Sequence, residues 1–373
     1  MLGSLGMWKQ KTRKPLFCLC VDDFGVKYFS KEDIEHLHDT IAKEYTCKID
    51  WKGENFLGYT IDWNYDKGYV DISMPEYVQN ALKKLLHKPS ISPQYSPHEH
   101  TASNWTSKGE RQYAQQPDNS PYLNKTETKY VQSVVGCFLY YARALDSTML
   151  PALNQIASQQ AQPTQHVMKK VQRLMDYANT YSKAYVRFYA SDMQLMVDSD
   201  AAYLVLPKAR SRIAGYFRLA NKSSNRYKYK DNGAILIECH TLRHVVTSAA
   251  EAETKGVFQN AKLSLPIHHI LIAMGHPQDP TPIATDNTTT TAFVHKNMVM
   301  KKSKSWDMNL HWLRDKEAQK YFKLYWEKGS SNGGDYFTKH HPTIHHRNLR
   351  QRYVRDTLNV LSQNISAIYN QRL

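Results

Sequence analysis

The sequence predicts an α/β (α+β) chain whose second half folds into a mixed β-sheet flanked by helices. Three β-prone runs come first, and the last two flank turn residues at 231–233: MQLMVDSD, RIAGYFRLA and AILIECHT. The helical segment SAAEAETKGVFQNAKL follows them. Two further strands, PIATDN and YFKLYWEK, then alternate with helical segments, which favours a parallel addition to an antiparallel sheet.

Two hairpins and two helices are predicted before residue 88. Apolar runs enclose Asp22 and Asp23 in LFCLCVDDFGVKYF, which places both aspartates at the tip of the first hairpin. This enclosure favours metal binding over an ordinary acidic surface turn. Helical spacing predicts a helix over 31–45. The second hairpin, ENFLGYTIDWNYDKGYVDISMP, turns at 66–68 and leads into the helix EYVQNALKKLLH.

The middle of the chain is predicted to hold a polar loop and a pair of packed helices. Residues 88–121 are rich in Pro, Ser, Asn and Gln, so we expect an exposed linker in which His98 and His100 are solvated. Apolar stripes then run along KYVQSVVGCFLYYARAL and TQHVMKKVQRLMDYANTY, the second with Thr164 as its N-cap. The strand YVRFYA follows. Near the C-terminus, the histidines of TKHHPTIHHRN are expected to be exposed and to hold no metal.

The composition favours an intracellular protein that binds a polyanion. The chain has 373 residues, 41% of them hydrophobic, and a net charge of +15, which suits two or three domains and attraction to nucleic acid. We identify neither a signal peptide nor an apolar run of membrane-spanning length, so a cytoplasmic or nuclear protein that is not secreted is expected. Five scattered cysteines fit a reduced compartment, and Cys18 and Cys20 lack the second pair that a zinc site needs.

Four acidic residues in the second half carry the functional prediction: Asp200, Glu253, Asp286 and Asp335. Each is expected at the end of a different element, and their spacing fits one domain. Converging carboxylates suit hard divalent cations, and a pair of such ions can promote the hydrolysis of a phosphodiester. Any one of these residues by itself reads as a solvated surface acid. Glu251 is expected to complete a capping box with the serine three residues before it, which leaves Glu253 as the metal ligand.

Several motifs resemble a known family. VDDFGVKY resembles the metal-binding hairpin of reverse transcriptases, with Cys20 at a position where many relatives carry Tyr, and NFLGYTID resembles the following strand pair that contacts the primer. The order Asp, Glu, Asp, Asp resembles that of ribonucleases H. From about residue 7 to about residue 350, the chain resembles the C-terminal half of the Pol polyprotein of LTR retrotransposons, most closely the copia type.

The resemblance implies a division of the chain and a reaction. It implies a truncated reverse transcriptase palm and thumb start (1–87), a linker or loop (88–121), a helical connection (122–183), a ribonuclease H-like domain (184–345) and a basic C-terminal tail (346–373). In the ribonuclease H-like domain, Asp200 would bridge two Mg²⁺ or Mn²⁺ ions. Glu253 and Asp286 would complete the coordination of one ion and Asp335 that of the other. The substrate would be the RNA strand of an RNA–DNA hybrid, recognised by its 2′-hydroxyls.

The polymerase part is expected to be inactive, since the family's other catalytic aspartate and its fingers lie upstream of the VDD hairpin. Asp22 and Asp23 therefore form half a metal site. Basic residues interleaved with aromatic ones predict phosphate contacts, although an ordinary solvated loop explains the lysines equally well: Lys296, Lys301, Lys302, Lys304 and Arg314.

Two alternatives to a ribonuclease H remain open. The first is a non-catalytic relic or a domesticated nucleic-acid-binding protein that retains the carboxylates by recent descent. The second and weaker one is an integrase, which has a different order and spacing of acidic residues. The sequence predicts no oligomeric state.

Overall fold

The computed structural model describes residues 6–100, 104–105, 111–112, 118–206, 208–222, 232–295 and 307–356. In the first third of the chain the elements are β1 (Met7–Lys9), β2 (Leu16–Cys20), β3 (Asp23–Lys27), α1 (Lys31–Ala42), β4 (Asn55–Phe56), β5 (Tyr59–Asn64), β6 (Tyr69–Ser73), α2 (Tyr77–Lys84), β7 (Asn104–Trp105) and β8 (Arg111–Gln112).

The remaining elements include the helical connection and the large sheet. They are α3 (Lys125–Ala144), α4 (Leu150–Gln159), α5 (Gln165–Thr180), β9 (Ala184–Tyr189), β10 (Gln194–Leu206), β11 (Arg210–Ala220), β12 (Ala234–Thr241), α6 (Ala249–Ala273), β13 (Thr281–Thr285), α7 (Thr288–Val294), α8 (Asp307–Ala318), β14 (Phe322–Trp326), α9 (Asp335–Thr338), α10 (Thr343–Tyr353) and β15 (Arg355–Asp356).

The predicted mixed sheet flanked by helices is confirmed. Its strand order is β12-β11-β10-β13-β14. The first three strands along the chain pair antiparallel, and β13 and β14 join them in parallel. Helix α6 connects β12 to β13, which is the crossover that a parallel addition requires. The turn predicted at 231–233 falls partly outside the described residues.

Helices cover both faces of this sheet. Side chains alternate along a strand, so Val197 and its cross-strand partner Phe217 share one face, where they pack with α6, α7 and α8. Ala214 and Tyr216 lie on the opposite face and pack with α9 and the helical connection. Asp200 pairs with Ala214 and therefore belongs to this second face. The site described below lies at the end of the sheet where helices from the two faces meet.

The helical connection agrees with its predicted apolar stripes. The buried residues of α3 recur every three or four positions, as do those of α5. Thr164 caps α5, since its side chain accepts a hydrogen bond from the backbone N–H of Val167. Asn124 and Glu127 form a reciprocal capping box at the start of α3. In α1, by contrast, the helix forms as predicted but its apolar residues stay partly exposed.

The strand predicted at YVRFYA forms as β9 but joins a different sheet, of order β15-β9-β6-β5-β4. It pairs antiparallel with β6 of the second hairpin, with Asp71 opposite Arg187. The Arg187 guanidinium donates two hydrogen bonds of 2.7 Å to the Asp71 carboxylate and lies 3.6 Å from the centroid of the Tyr69 ring. This half-buried bidentate pair fixes the register between segments more than one hundred positions apart.

The expectation that the polar loop and the C-terminal histidines are exposed is wrong for several residues. His98 is buried in the part of the 88–121 segment that the structure describes, and His341 and His346 are buried as well, whereas His345 is exposed. The His98 ring stacks on His340 at 4.3 Å between centroids, and its Nε2 accepts a hydrogen bond of 2.9 Å from the backbone N–H of His341. Four of these rings are buried or half-buried, and burial lowers the pKa of each: His98, His340, His341 and His346. They therefore stay neutral and pack as aromatic side chains.

The described part of the chain contains no helix long and apolar enough to cross a membrane. All five cysteines are free thiols.

Candidate metal centre

Asp200 lies in the interior of β10, which corrects the expectation that it ends a strand. The strand continues to Leu206 because β11 pairs with it beyond the carboxylate. The Asp200 side chain is only 4% exposed, and its Oδ2 accepts a hydrogen bond of 2.7 Å from the hydroxyl of Thr338. The aspartate is thus held by both a strand and a neighbouring helix.

Glu253 projects from the first turns of α6, whose start is fixed by capping. Ser248 accepts a hydrogen bond of 3.1 Å from the backbone N–H of Glu251. The Glu251 carboxylate accepts bonds of 2.8 Å from the N–H and the hydroxyl of Thr247, one residue before the N-cap. The structural role predicted for Glu251 therefore holds with a shifted partner, and Glu253 is left to face Asp200.

Asp286 comes from the end of a strand and Asp335 from the start of a short helix. Asp286 follows β13, and Gly329 passes so close that a Cβ there would lie 2.9 Å from Asp286 Oδ2. Asp335 is the first residue of α9. A Cβ on the preceding Gly334 would lie 3.3 Å from the Asp200 Cβ, so Asp335 approaches from the sheet face that carries Asp200.

Three of the four predicted carboxylates lie close together in the fold. Asp200, Glu253 and Asp286 each offer a carboxylate oxygen, and these oxygens lie within 4.8 Å of one another. Asp335 lies beside this triad, since its charge is the second cause, after burial, that raises the pKa of both Asp200 and Asp286. The acidic cluster thus comes from a strand, a long helix, the segment after β13 and a short helix, which are distant from one another in sequence.

The cluster is electrostatically strained when no cation is bound. Burial and the charge of Asp335 raise the pKa of Asp200 to about 7. Burial, followed by the charges of Asp200 and Asp286, raises the pKa of Glu253 well above its usual value, although an N–H of Ala201 donates to it. Like charges this close in a buried site oppose one another's ionisation. A divalent cation would reverse this balance because it stabilises all the ionised forms together.

The donor set fits a hard divalent cation. Among the residues that the structure describes, Glu253 Oε2 is buried and has no hydrogen-bond partner. An orphaned buried carboxylate oxygen is costly unless a further group satisfies it. Carboxylate oxygens without nitrogen or sulfur donors suit Mg²⁺ or Mn²⁺ better than zinc or copper. No ion is present in this structure.

Sequence reasoning missed the residues that hold the Asp335 loop against β10. Asn332 Nδ2 donates a hydrogen bond of 2.8 Å to the carbonyl of Ser199, and the N–H of Gly333 donates one of 3.0 Å to Asp198 Oδ2. The same oxygen accepts a bond of 2.6 Å from Arg218, which is buried with it. The available signal was the spacing in VDSD, since two aspartates two residues apart on a strand lie on one face.

Two further missed residues follow Asp335 in the chain. Thr338 donates to Asp200 as described above, and Lys339 Nζ lies 2.5 Å from Asp335 Oδ1. Both belong to the run DYFTK, in which a lysine four positions after an aspartate is a recognisable helical pair.

Asp22 and Asp23 belong to a separate sheet, of order β1-β2-β3. Asp23 pairs with Cys20, so Val21 and Asp22 form the hairpin tip. Both aspartates are exposed, and neither belongs to a group of potential metal ligands among the described residues. Their role as metal ligands stays a prediction.

The predicted nucleic-acid contacts are only partly visible. Lys296, Lys301, Lys302 and Lys304 lie outside the described residues. Arg314 is half-buried on α8, where its Nη2 donates to the carbonyl of Phe293 and its guanidinium lies 4.0 Å from the centroid of that ring. These contacts tie α8 to α7, and a contact of Arg314 with phosphate stays a prediction.

Comparison with known proteins finds similarity in structure rather than in sequence. No protein-family model matches the chain, and no curated protein matches it. The N-terminal ribonuclease H domain of a Mycobacterium tuberculosis protein, solved as a fusion with maltose-binding protein, covers 43% of this chain and 97% of its own at 10% identity and a TM-score of 0.28. Ribonuclease H1 from the archaeon Halobacterium salinarum covers 39% of this chain and 94% of its own at 10% identity and a TM-score of 0.26.

The prototype foamy virus protease–reverse transcriptase is also similar. It matches 36% of this chain at 16% identity and a TM-score of 0.24, and the match spans 17% of the viral chain. At these TM-scores the fold assignment rests on the strand order and register given above.

Proposed function

We propose that this chain is a ribonuclease H-type endonuclease that cuts the RNA strand of RNA–DNA hybrids with Mg²⁺ or Mn²⁺. The observation that carries the proposal is the convergence of Asp200, Glu253, Asp286 and Asp335 from four separate elements, with three of them offering oxygens within 4.8 Å. The order of these residues along the chain and the strand order of the sheet agree with it. The net charge of +15 suits a polyanionic substrate.

Each residue of the site has a distinct task in this proposal. Asp200, Glu253 and Asp286 would hold one cation, and Asp200 with Asp335 would hold a second. When bound, the cations would supply Lewis-acid stabilisation of the charge that develops on the phosphodiester. Thr338 orients Asp200 through its hydroxyl, and the buried Glu253 Oε2, which has no hydrogen-bond partner in the described structure, would gain one in a bound cation.

The proposal is tested by cleavage of a hybrid whose RNA strand carries a label. The purified full chain should cut that RNA with Mg²⁺ or Mn²⁺ and leave duplex DNA intact. Asp200→Asn should abolish cleavage and spare hybrid binding, because it removes a ligand without changing the basic surface. Asp286→Asn should do nearly the same.

Glu251→Gln is the matched control, since this carboxylate lies two positions from Glu253 but bonds to Thr247. It should keep cleavage and cost stability of roughly 1 kcal/mol, as the loss of a cap does. If the wild-type chain folds and binds hybrid but never cuts it with either cation, the ribonuclease proposal fails. The alternative of a non-catalytic protein that binds nucleic acid then stands. Equal cleavage by wild type and Asp200→Asn would assign the activity to another site or a contaminant.

We further propose that the chain is related to the Pol polyprotein of copia-type LTR retrotransposons, with the domain limits given in the first section, and that it acts inside the cell. Its reverse transcriptase part is proposed to be inactive. Asp22 and Asp23 are both exposed, at and beside the tip of the first hairpin. Primer extension on a homopolymer template should stay at background, and robust extension would refute this part of the proposal.

A further inference from the structure

We infer that the ammonium of Lys339 acts as a built-in cation of the carboxylate cluster, competing with a divalent ion for Asp335. The inference rests on the proposed function, because it concerns how the same site takes up its metals. It makes Lys339 a positioning residue that sets the affinity of the Asp335 half of the site.

The first observation is the direct ion pair. Lys339 Nζ lies 2.5 Å from Asp335 Oδ1, a contact between residues four positions apart across the short helix α9. A divalent cation held by Asp335 would share this carboxylate with the ammonium, and the two positive charges would repel one another across it. The ion pair therefore weakens the binding of a divalent cation at Asp335.

The second observation is that Lys339 faces the whole cluster. Its charge counts among the influences that lower the pKa of Asp200, Glu253 and Asp286, opposing the larger effect of burial on each. A single ammonium therefore offsets part of the repulsion among the other carboxylates. Once divalent ions occupy the site, they neutralise the carboxylates, and the charge of Lys339 no longer stabilises the cluster.

The third observation is the difference in freedom between the two halves of the cluster. Asp200 is nearly fully buried and is held by Thr338, whereas the side chains of Lys339 and Asp335 are 42% and 27% exposed. The lysine can therefore swing into solvent without breaking the core. The triad of Asp200, Glu253 and Asp286 would bind its ion first, and the ion at Asp335 would bind more weakly because it displaces Lys339.

Binding of Mn²⁺ to the full chain, followed by electron paramagnetic resonance of the free ion, tests this without substrate. Wild type should show a tighter and a weaker step. Lys339→Met should tighten the weaker step about two- to fivefold, the range expected for release from a partly exposed ion pair. The tighter step should change less. Lys339→Arg keeps the charge and should behave as wild type, and Asp335→Asn should remove the weaker step.

A second measurement guards against a folding defect in the variant. In chelator, Lys339→Met should be less stable to urea than wild type, since the acidic cluster loses the positive charge of Lys339, and the difference should vanish at saturating Mn²⁺. A weaker step that is unchanged or loosened in Lys339→Met overturns the inference, because the lysine would then be neutral toward the ion or would support it.

These results separate the inference from the proposed function. If Mn²⁺ binds in two steps with the expected shift but hybrid RNA is not cut, the ribonuclease proposal fails and the role of Lys339 stands. If RNA is cut but Lys339→Met leaves both steps unchanged, the inference alone fails. If wild type binds no Mn²⁺, both fail.

Discussion

Replacing Asp200 with asparagine should stabilise the cation-free protein at neutral and alkaline pH, because the change removes a charge from a buried acidic cluster. Burial and the charge of Asp335 raise the pKa of Asp200 from 3.8 to about 7. At about 1.4 kcal/mol per pH unit, this corresponds to roughly 4 kcal/mol of instability in the ionised form. The hydroxyl of Thr338 can donate to the new amide oxygen, so this hydrogen bond is kept. We expect a gain of roughly 2–4 kcal/mol in the free energy of unfolding at about pH 8.

The pH dependence gives this prediction its sign. Folded Asp200 keeps its proton to a higher pH than the unfolded chain does, so its contribution to stability is full below 3.8 and is lost as the pH rises to about 7. The advantage of the asparagine variant should therefore shrink as the pH is lowered from about 8 towards 5. Urea unfolding of both proteins in chelator measures it. A gain that does not change with pH, or a variant less stable than wild type at about pH 8, would refute the reasoning.

Three further predictions concern stability, each measured by urea unfolding. Gly333→Ala would place a Cβ 2.8 Å from the buried Asp198 Oδ2 and should lower the free energy of unfolding by roughly 1–3 kcal/mol. The control Gly136→Ala in helix α3 has nothing within 4 Å of its Cβ and should raise the free energy of unfolding by up to about 1 kcal/mol. Arg350→Met leaves two buried carboxylates without their shared partner and should cost roughly 3–5 kcal/mol; a loss below 1 kcal/mol would contradict it. Burial lowers the pKa of His346 from 6.5 to about 3, so the stability that it contributes above 6.5 should be lost as the pH falls, and a His346→Gln variant should show a shallower loss.

The sequence by itself determined the parts of this protein that depend on neighbouring residues. Helix starts at Thr164 and Ser248 were predictable because a side-chain oxygen caps an N–H three residues away. The strands of the mixed sheet followed from runs of β-prone residues and from the helices that alternate with them. The four acidic positions could be proposed as a set because each stands beside such an element, although the sequence did not give the order of these elements in space.

The tertiary structure alone decided which distant groups meet. It placed Asp335 on the sheet face of Asp200, set Arg187 against Asp71 in a second sheet, and buried His98 under His340. None of these contacts leaves a local pattern, because the partners are separated by long stretches of chain and each gains its partner only when the elements pack. The same holds for Lys339: its spacing from Asp335 is local, but its nearness to the rest of the acidic cluster depends on α9 docking against β10. Local periodicity fixed the elements, and packing between them made the site.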